Sequence, residues 1–122
     1  MSTKVEAVLD MESGALAGNW DKFKSHLADD VYFKVGNTTE VRGPQAVVDY
    51  MVKLLSTRLA INDVKIRSAW ETDDAAILEF NMGALRILDN KQVAFPCLDI
   101  YRFRGDKIHD WRVYAIEPTH IT

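Results

Sequence analysis

One acidic residue interrupts an otherwise apolar strand face in the second half of the chain. From 93 to 103 the apolar residues recur with a period of two, which is typical of a β-strand. The side chains of one face are Val93, Phe95, Cys97, Asp99, Tyr101 and Phe103. A carboxylate among apolar groups loses hydration, and its pKa rises unless a cation or hydrogen-bond donors stabilise the charge. Asp99 is therefore a candidate acid or base that faces a cavity, or one half of a structural ion pair.

Arg86 is the second candidate. A two-residue turn at 90–91 would place Met82 opposite Asp99, and Arg86 would then reach Asp99 diagonally on the same sheet face. Three roles remain open for Arg86: a structural partner of Asp99, an anchor for an anionic substrate, or a rim residue whose guanidinium reaches water. No second titratable group is apparent at the depth of Asp99, although acid–base chemistry needs a second group or a water molecule.

The first half of the chain has a helical period. Thr3 begins a capping-box pattern, and Gly18 ends the helix that follows. Asn19 can cap a second, short helix that ends at 28–30, and Pro44 at a first helical position opens a third.

From Asp63 onward the period changes to two. Polar breaks at 72–74, 89–91 and 104–107 predict four strands joined by hairpins. The register that pairs position 70 with position 76 gives one face the side chains Val64, Ile66, Ser68, Trp70, Ala76, Leu78, Phe80 and Met82. Helices followed by strands indicate an α+β fold.

Composition excludes several classes of protein. The 122 residues suffice for a single domain spanning 1–122, and 48% apolar with 27% charged residues is typical of a globular chain. Fifteen basic against 18 acidic residues give a net charge of −3 without a basic run, so we expect no nucleic-acid partner. The lone Cys97 cannot form an intrachain disulfide, and the acidic residues near the start do not fit a signal peptide; we expect a cytoplasmic protein with no membrane contact and no structural metal.

The opposite face of the predicted sheet is partly apolar as well. Its residues are Glu79, Asn81, Leu85, Ile87, Ala94, Leu98, Ile100 and Arg102. The sequence has no further helix to cover this face. We therefore expect a homodimer that packs sheet on sheet, with a monomer as the alternative.

Three segments and one glycine carry a family resemblance. The stretches 96–103 and 107–114 resemble the end of SnoaL-like and ketosteroid-isomerase-like domains, and 27–31 followed by Gly43 resembles an earlier part of the same superfamily. The resemblance covers nearly the whole chain. It implies the fold of nuclear transport factor 2, also described as cystatin-like: a cone-shaped, strongly curved mixed sheet wrapped around three helices, with a pocket on the concave face. This scaffold hosts isomerases, cyclases, epoxide hydrolases and non-catalytic domains, so the resemblance predicts the fold better than the function.

The resemblance transfers only some functional residues. Asp99 falls where ketosteroid isomerases have the protonated aspartic acid of their oxyanion hole. Val35 stands at or near the position of their general base, Met11 and Met51 replace their tyrosines, and Ala115 stands where SnoaL-like cyclases have an aspartate. Apolar residues also replace the two aspartates of the epoxide-hydrolase-like members.

We therefore expect a pocket for a small hydrophobic molecule, in which Asp99 serves as the acid of an isomerisation or cyclisation. The alternative is a non-catalytic binding or dimerisation module in which Asp99 and Arg86 form a structural pair. Neither hypothesis requires a cofactor or a metal. The expected pocket residues are Met11, Trp20, Phe33, Val35, Met51, Phe80, Met82, Cys97, Tyr101, Trp111, Val113 and Ala115.

Overall fold

The computed structural model describes residues 3–115, and these form three helices and six strands. None of the three helices in this range is long and apolar enough to cross a membrane. In chain order the elements are α1 Lys4–Ala17, α2 Trp20–Ser25, β1 Leu27–Val35, β2 Thr39–Arg42, α3 Pro44–Thr57, β3 Leu59–Glu71, β4 Ala75–Arg86, β5 Lys91–Arg104 and β6 Lys107–Ala115.

Local signals fix the helix ends. The Thr3 side chain accepts a hydrogen bond from the Glu6 amide at 3.0 Å, and Gly18 ends α1 in the left-handed region with a φ of 73°. The Asn19 side chain caps α2. The prediction that α2 continues to 28–30 is wrong. Leu27 already lies in the sheet beside Ile108, where its side chain is buried.

The six strands form one mixed, curved sheet in the order β2-β1-β6-β5-β4-β3. The β1–β6 pair is parallel and all other neighbours are antiparallel. Helices α1 and α3 pack on the same side of this sheet as the apolar core. The expected α+β architecture with helices in the first half of the chain is confirmed.

The predicted register between β4 and β5 is wrong. The turn consists of the four residues Ile87–Asn90, so Arg86 lies opposite Lys91 and Leu78, not Met82, lies opposite Asp99. The sum of paired residue numbers changes by four, and an even change keeps every side chain on its predicted face. Asp99 therefore still points to the concave side.

The register between β3 and β4 is correct for part of its length. Val64 and Ile66 lie opposite Met82 and Phe80, as predicted. An irregularity after Ile66 then shifts the pairing by one residue. Trp70 consequently lies opposite Ile77 instead of Ala76 and is 51% exposed, so its predicted place on the inner face is wrong.

Helix α1 is attached to its neighbours at two points. The Glu71 carboxylate at the end of β3 accepts a hydrogen bond from the Val5 amide at 3.0 Å. Near the other end, a Cβ atom on Gly14 would lie only 3.1 Å from the Asn19 carbonyl oxygen and 3.2 Å from the Phe23 amide nitrogen. Glycine at position 14 thus permits the close approach of α1 and α2.

Candidate functional site

An apolar cavity of about 110 Å³ lies between the concave face of the sheet and helices α1 and α3. This volume accommodates several water molecules or a small organic ligand, since one water needs roughly 10–15 Å³. The lining residues are Glu12, Ala15, Leu16, Phe33, Val35, Tyr50, Met51, Leu54, Leu55, Leu59, Ile61, Val64, Phe80, Met82, Phe95, Cys97, Asp99, Trp111 and Val113. None of them is a lysine, arginine or histidine.

Asp99 is the buried acid of this cavity, with 6% of its surface exposed. Its Oδ2 accepts hydrogen bonds from the Tyr101 hydroxyl and from Trp111 Nε1, each at 3.0 Å. Its Oδ1 accepts from the Cys97 thiol at 3.2 Å. Within residues 3–115, the carboxyl group is thus held by three neutral donors and no cation.

The strand geometry explains these donors. Cys97 and Tyr101 precede and follow Asp99 by two residues on β5, so all three side chains share one face. Trp111 pairs with Tyr101 across the β5–β6 ladder. The centroids of its indole and of the Phe33 ring are 4.6 Å apart. Packing therefore fixes the donors before any ligand enters.

Glu12 is a second acid at the same end of the cavity, and the sequence analysis missed it. This α1 residue is partly buried, and its Oε1 lies 3.3 Å from the Tyr101 hydroxyl oxygen. The expectation of no second titratable group near Asp99 is therefore wrong. A signal was available, because Glu12 follows Val8 by four residues and lies on the inward face of α1.

Burial perturbs both acids. It raises the pKa of Glu12 from 4.5 to about 8, and the nearby charge of Asp99 adds to the rise while Tyr101 opposes it. Burial also raises the pKa of Asp99 above 3.8, against the effect of its three donors. Burial, followed by the charge of Asp99, raises the pKa of the Cys97 thiol and of the Tyr101 hydroxyl. Both donors therefore keep their protons at neutral pH, and the two carboxyl groups are the members of this cluster that can exchange one.

The expected pocket residues fall into two groups. Eight of them line the cavity together with Asp99: Phe33, Val35, Met51, Phe80, Met82, Cys97, Trp111 and Val113. Met11 and Tyr101 are fully buried in the core instead, and Tyr101 contributes only through its hydroxyl group. Trp20 packs edge-on against Phe23 and does not line the cavity. Ala115 ends β6 opposite Cys97.

Arg86 is not the partner of Asp99. It lies eight positions along β4 from Leu78, the residue opposite Asp99, which corresponds to about 25 Å along a strand. Its guanidinium instead binds the Asp89 carboxylate, with Nε–Oδ1 and Nη2–Oδ2 distances of 2.9 and 2.6 Å. This ion pair, which holds the pKa of Asp89 at about 2, belongs to the β4–β5 turn. The structural pair proposed in the alternative hypothesis is therefore not formed.

Comparison with protein families gives a match to the SnoaL-like domain over residues 5–111. The chain belongs to the SnoaL-like domain family. Curated proteins give no match. The family assignment agrees with the order of helices and strands and with the cavity on the concave face of the sheet.

Solved structures share the fold of this SnoaL-like domain at low sequence identity. A protein of Catenulispora acidiphila with a ketosteroid isomerase-like fold, solved with trimethylamine, is 16% identical, with a TM-score of 0.82 over 95% of this chain and 88% of that one. An epoxide hydrolase of M. tuberculosis is 17% identical, with a TM-score of 0.77 and coverages of 97% and 85%. A protein from Jannaschia that is assigned as a SnoaL-like polyketide cyclase is 14% identical, with a TM-score of 0.79 and coverages of 93% and 85%. Identities this low establish the fold alone.

Proposed function

We propose that this SnoaL-like domain binds a small hydrophobic molecule in the cavity and catalyses a proton transfer on it, of the kind found in isomerisation or cyclisation. The observation that carries the proposal is the pair Asp99 and Glu12 at one end of an apolar cavity. Two carboxyl groups that perturb one another supply an acid and a base within one site. The names of the structural neighbours, which include a cyclase and an epoxide hydrolase, are compatible with small-molecule chemistry in such a cavity.

The chemistry balances without a cofactor. For a ligand with a carbonyl group, the ionised carboxyl takes a proton from the carbon next to the carbonyl, and the protonated carboxyl gives its proton to the carbonyl oxygen. The C–H bond breaks, an O–H bond forms, and the ligand becomes an enol. The pair still holds the same number of protons. If the ligand has a second C=C bond conjugated with the enol, the first carboxyl returns its proton to the far carbon of that system while the O–H proton goes back to the second carboxyl, which completes an isomerisation.

The proposal predicts catalysed hydrogen exchange in a simple ketone. With cyclohexanone in D₂O, we expect the protein to accelerate deuterium incorporation next to the carbonyl, measured by proton NMR. Asp99→Asn and Glu12→Gln should each slow this exchange at least about a hundredfold, because acid–base groups contribute roughly 10²–10⁴ in rate.

Asp73→Asn is the matched control, because Asp73 lies exposed in the turn between β3 and β4. It should leave the exchange rate unchanged. If cyclohexanone binds in the cavity and exchanges no faster than in buffer, the domain is a binding module and the catalytic part of the proposal fails. Circular dichroism of each variant separates loss of chemistry from loss of fold.

We also propose that a second copy of the chain covers the convex face of the sheet. Trp70, Ile77 and Ile100 lie side by side across β3, β4 and β5. Leu98 and Tyr114 continue this apolar band onto β6. Trp70 and Tyr114 are 51% and 47% exposed. A band shared by four strands fits the self-complementary interface of a two-fold dimer.

Leu98→Arg tests this dimer, because it places a charge in the middle of the apolar band. We expect the wild type to sediment as a dimer and Leu98→Arg as a monomer in analytical ultracentrifugation. Lys34→Glu, a change of charge on the same face but on β1, should stay dimeric. A monomeric wild type would contradict the interface.

A cytoplasmic location is part of the same proposal. Its support is the buried free thiol of Cys97, which suits a reducing compartment.

A further inference from the structure

One hydroxyl group lies between the two acids. Tyr101 Oη is 3.0 Å from Asp99 Oδ2 and 3.3 Å from Glu12 Oε1. A phenol has one proton and therefore donates one of these two hydrogen bonds. The other contact is a hydrogen bond only if the facing carboxyl donates a proton to the phenol oxygen. Two hydrogen bonds at this hydroxyl therefore imply a proton on one of the two acids.

The remaining donors decide which acid carries the charge. Asp99 accepts from Trp111 and Cys97 in addition to Tyr101, whereas Tyr101 is the donor within reach of Glu12 among the hydrogen bonds of residues 3–115. Donors stabilise a carboxylate more than a neutral acid. The shorter of the two Tyr101 contacts also points to Asp99 as the acceptor. The charge therefore belongs on Asp99 and the proton on Glu12.

We propose that Glu12, and not Asp99, is the proton donor that faces the ligand, and that the ligand presents a neutral proton-accepting oxygen such as a ketone or aldehyde carbonyl. This inference rests on the proposed function and assigns a role to each acid within it. In the proton transfer above, Glu12 gives its proton to the carbonyl oxygen and Asp99 receives the proton from carbon.

The charge of the cavity excludes other ligand classes. Among residues 3–115, the cavity lining contains no lysine, arginine or histidine, so a carboxylate ligand would place a second negative charge beside Asp99 without a counter-ion from these residues. An ammonium ligand could pair with the Asp99 carboxylate, but it has no lone pair to accept the proton of Glu12. A neutral acceptor satisfies the proton of Glu12 and leaves the charge of the pair unchanged.

The surrounding titratable groups do not compete for this role. From β5 the Cys97 thiol and the Tyr101 hydroxyl face the pair, and from α3 the Tyr50 hydroxyl lines the same cavity. Burial raises the pKa of all three, so they remain protonated while Glu12 titrates.

The first test is the order of the two titrations in the free protein. Carbon-13 NMR of the side-chain carboxyl groups, assigned with Glu12→Gln and Asp99→Asn, should show Glu12 releasing its proton at a higher pH than Asp99. The reverse order would overturn the inference. This result does not depend on whether the protein catalyses exchange, so failure of the proposed function and failure of the inference are separate outcomes.

The second test compares three probes of similar shape: cyclohexanone, cyclohexylamine and cyclohexanecarboxylate. We expect cyclohexanone to bind and its affinity to fall at least tenfold from pH 6.5 to 9.5, because it needs the protonated Glu12. Glu12→Gln, which keeps an N–H donor, should remove this pH dependence while retaining binding. Tighter binding of the amine as the pH rises, or binding of the carboxylate equal to that of the ketone, would overturn the assignment of the ligand class.

Discussion

Glu12→Gln should make the protein more stable than the wild type in alkaline solution and leave the two nearly equal near pH 4. The wild-type carboxyl has a pKa of about 8 in the folded protein against an ordinary value of 4.5. Below pH 4.5 both folded and unfolded chains hold the proton. Between pH 4.5 and 8 the unfolded chain releases it and the folded chain does not, so the wild type loses stability as the pH rises. Glutamine has no proton to release, and the variant escapes this loss.

The expected difference is large. One pKa unit corresponds to about 1.4 kcal/mol, and the partial exposure of Glu12 reduces the full effect, so we expect about 3 kcal/mol at pH 9. Urea unfolding at pH 4, 7 and 9 measures the difference directly. Glu6→Gln, at an exposed position in the first turn of the same helix, is the matched control and should differ from the wild type by less than about 1 kcal/mol at each pH. A difference as small for Glu12→Gln at pH 9 would contradict the burial of a neutral acid.

Asp99→Ala should destabilise the fold by about 2–4 kcal/mol at pH 7. The substitution removes the acceptor of the Trp111 indole N–H, which stays buried, and an unsatisfied buried donor costs roughly 1–3 kcal/mol in addition to the small cavity that forms. Asp99→Asn should cost less, because its amide oxygen can still accept from Trp111. Urea unfolding of the two variants gives both values.

A double-mutant cycle identifies the cause. Trp111→Phe removes the donor while keeping an aromatic ring in the core, so in this background Asp99→Ala should lose less stability than in the wild type. We expect a coupling energy of about 1–3 kcal/mol between the two positions. Additive effects would show that the hydrogen bond does not stabilise the fold. Asp73→Ala, in an exposed turn, supplies the reference for a change of charge alone.

Features set by neighbours in sequence were predictable. Thr3, Gly18 and Asn19 mark helix ends because each contacts backbone groups within a few residues. The inward direction of Asp99 was predictable for a related reason, since alternation along one strand is local. It survived an error in the turn length because the true turn, Ile87–Asn90, shifts the register by an even number of residues.

Features set by distant pairing were not predictable. The residue types around Ile66 do not predict the irregularity in the β3–β4 pairing that turns Trp70 outward. The predicted contact between Arg86 and Asp99 required a two-residue turn between β4 and β5. The turn has four residues, and the contact is not formed. The helical spacing from Val8 indicates that Glu12 points inward, but its contact with Tyr101 depends on how β5 lies relative to α1 and could not be predicted from the helix alone.

The proton affinity of the two cavity acids also depends on a helix contact outside the cavity. Glu12 is two residues from Gly14, whose missing side chain lets α1 approach the backbone of α2. Any larger residue at position 14 would push α1 away from α2 and move Glu12 relative to Tyr101. The backbone contact between α1 and α2 therefore sets the distance between Glu12 and Asp99 and the strength of their electrostatic interaction. A substitution at this contact would change the proton affinity of the site without altering any group that touches the ligand.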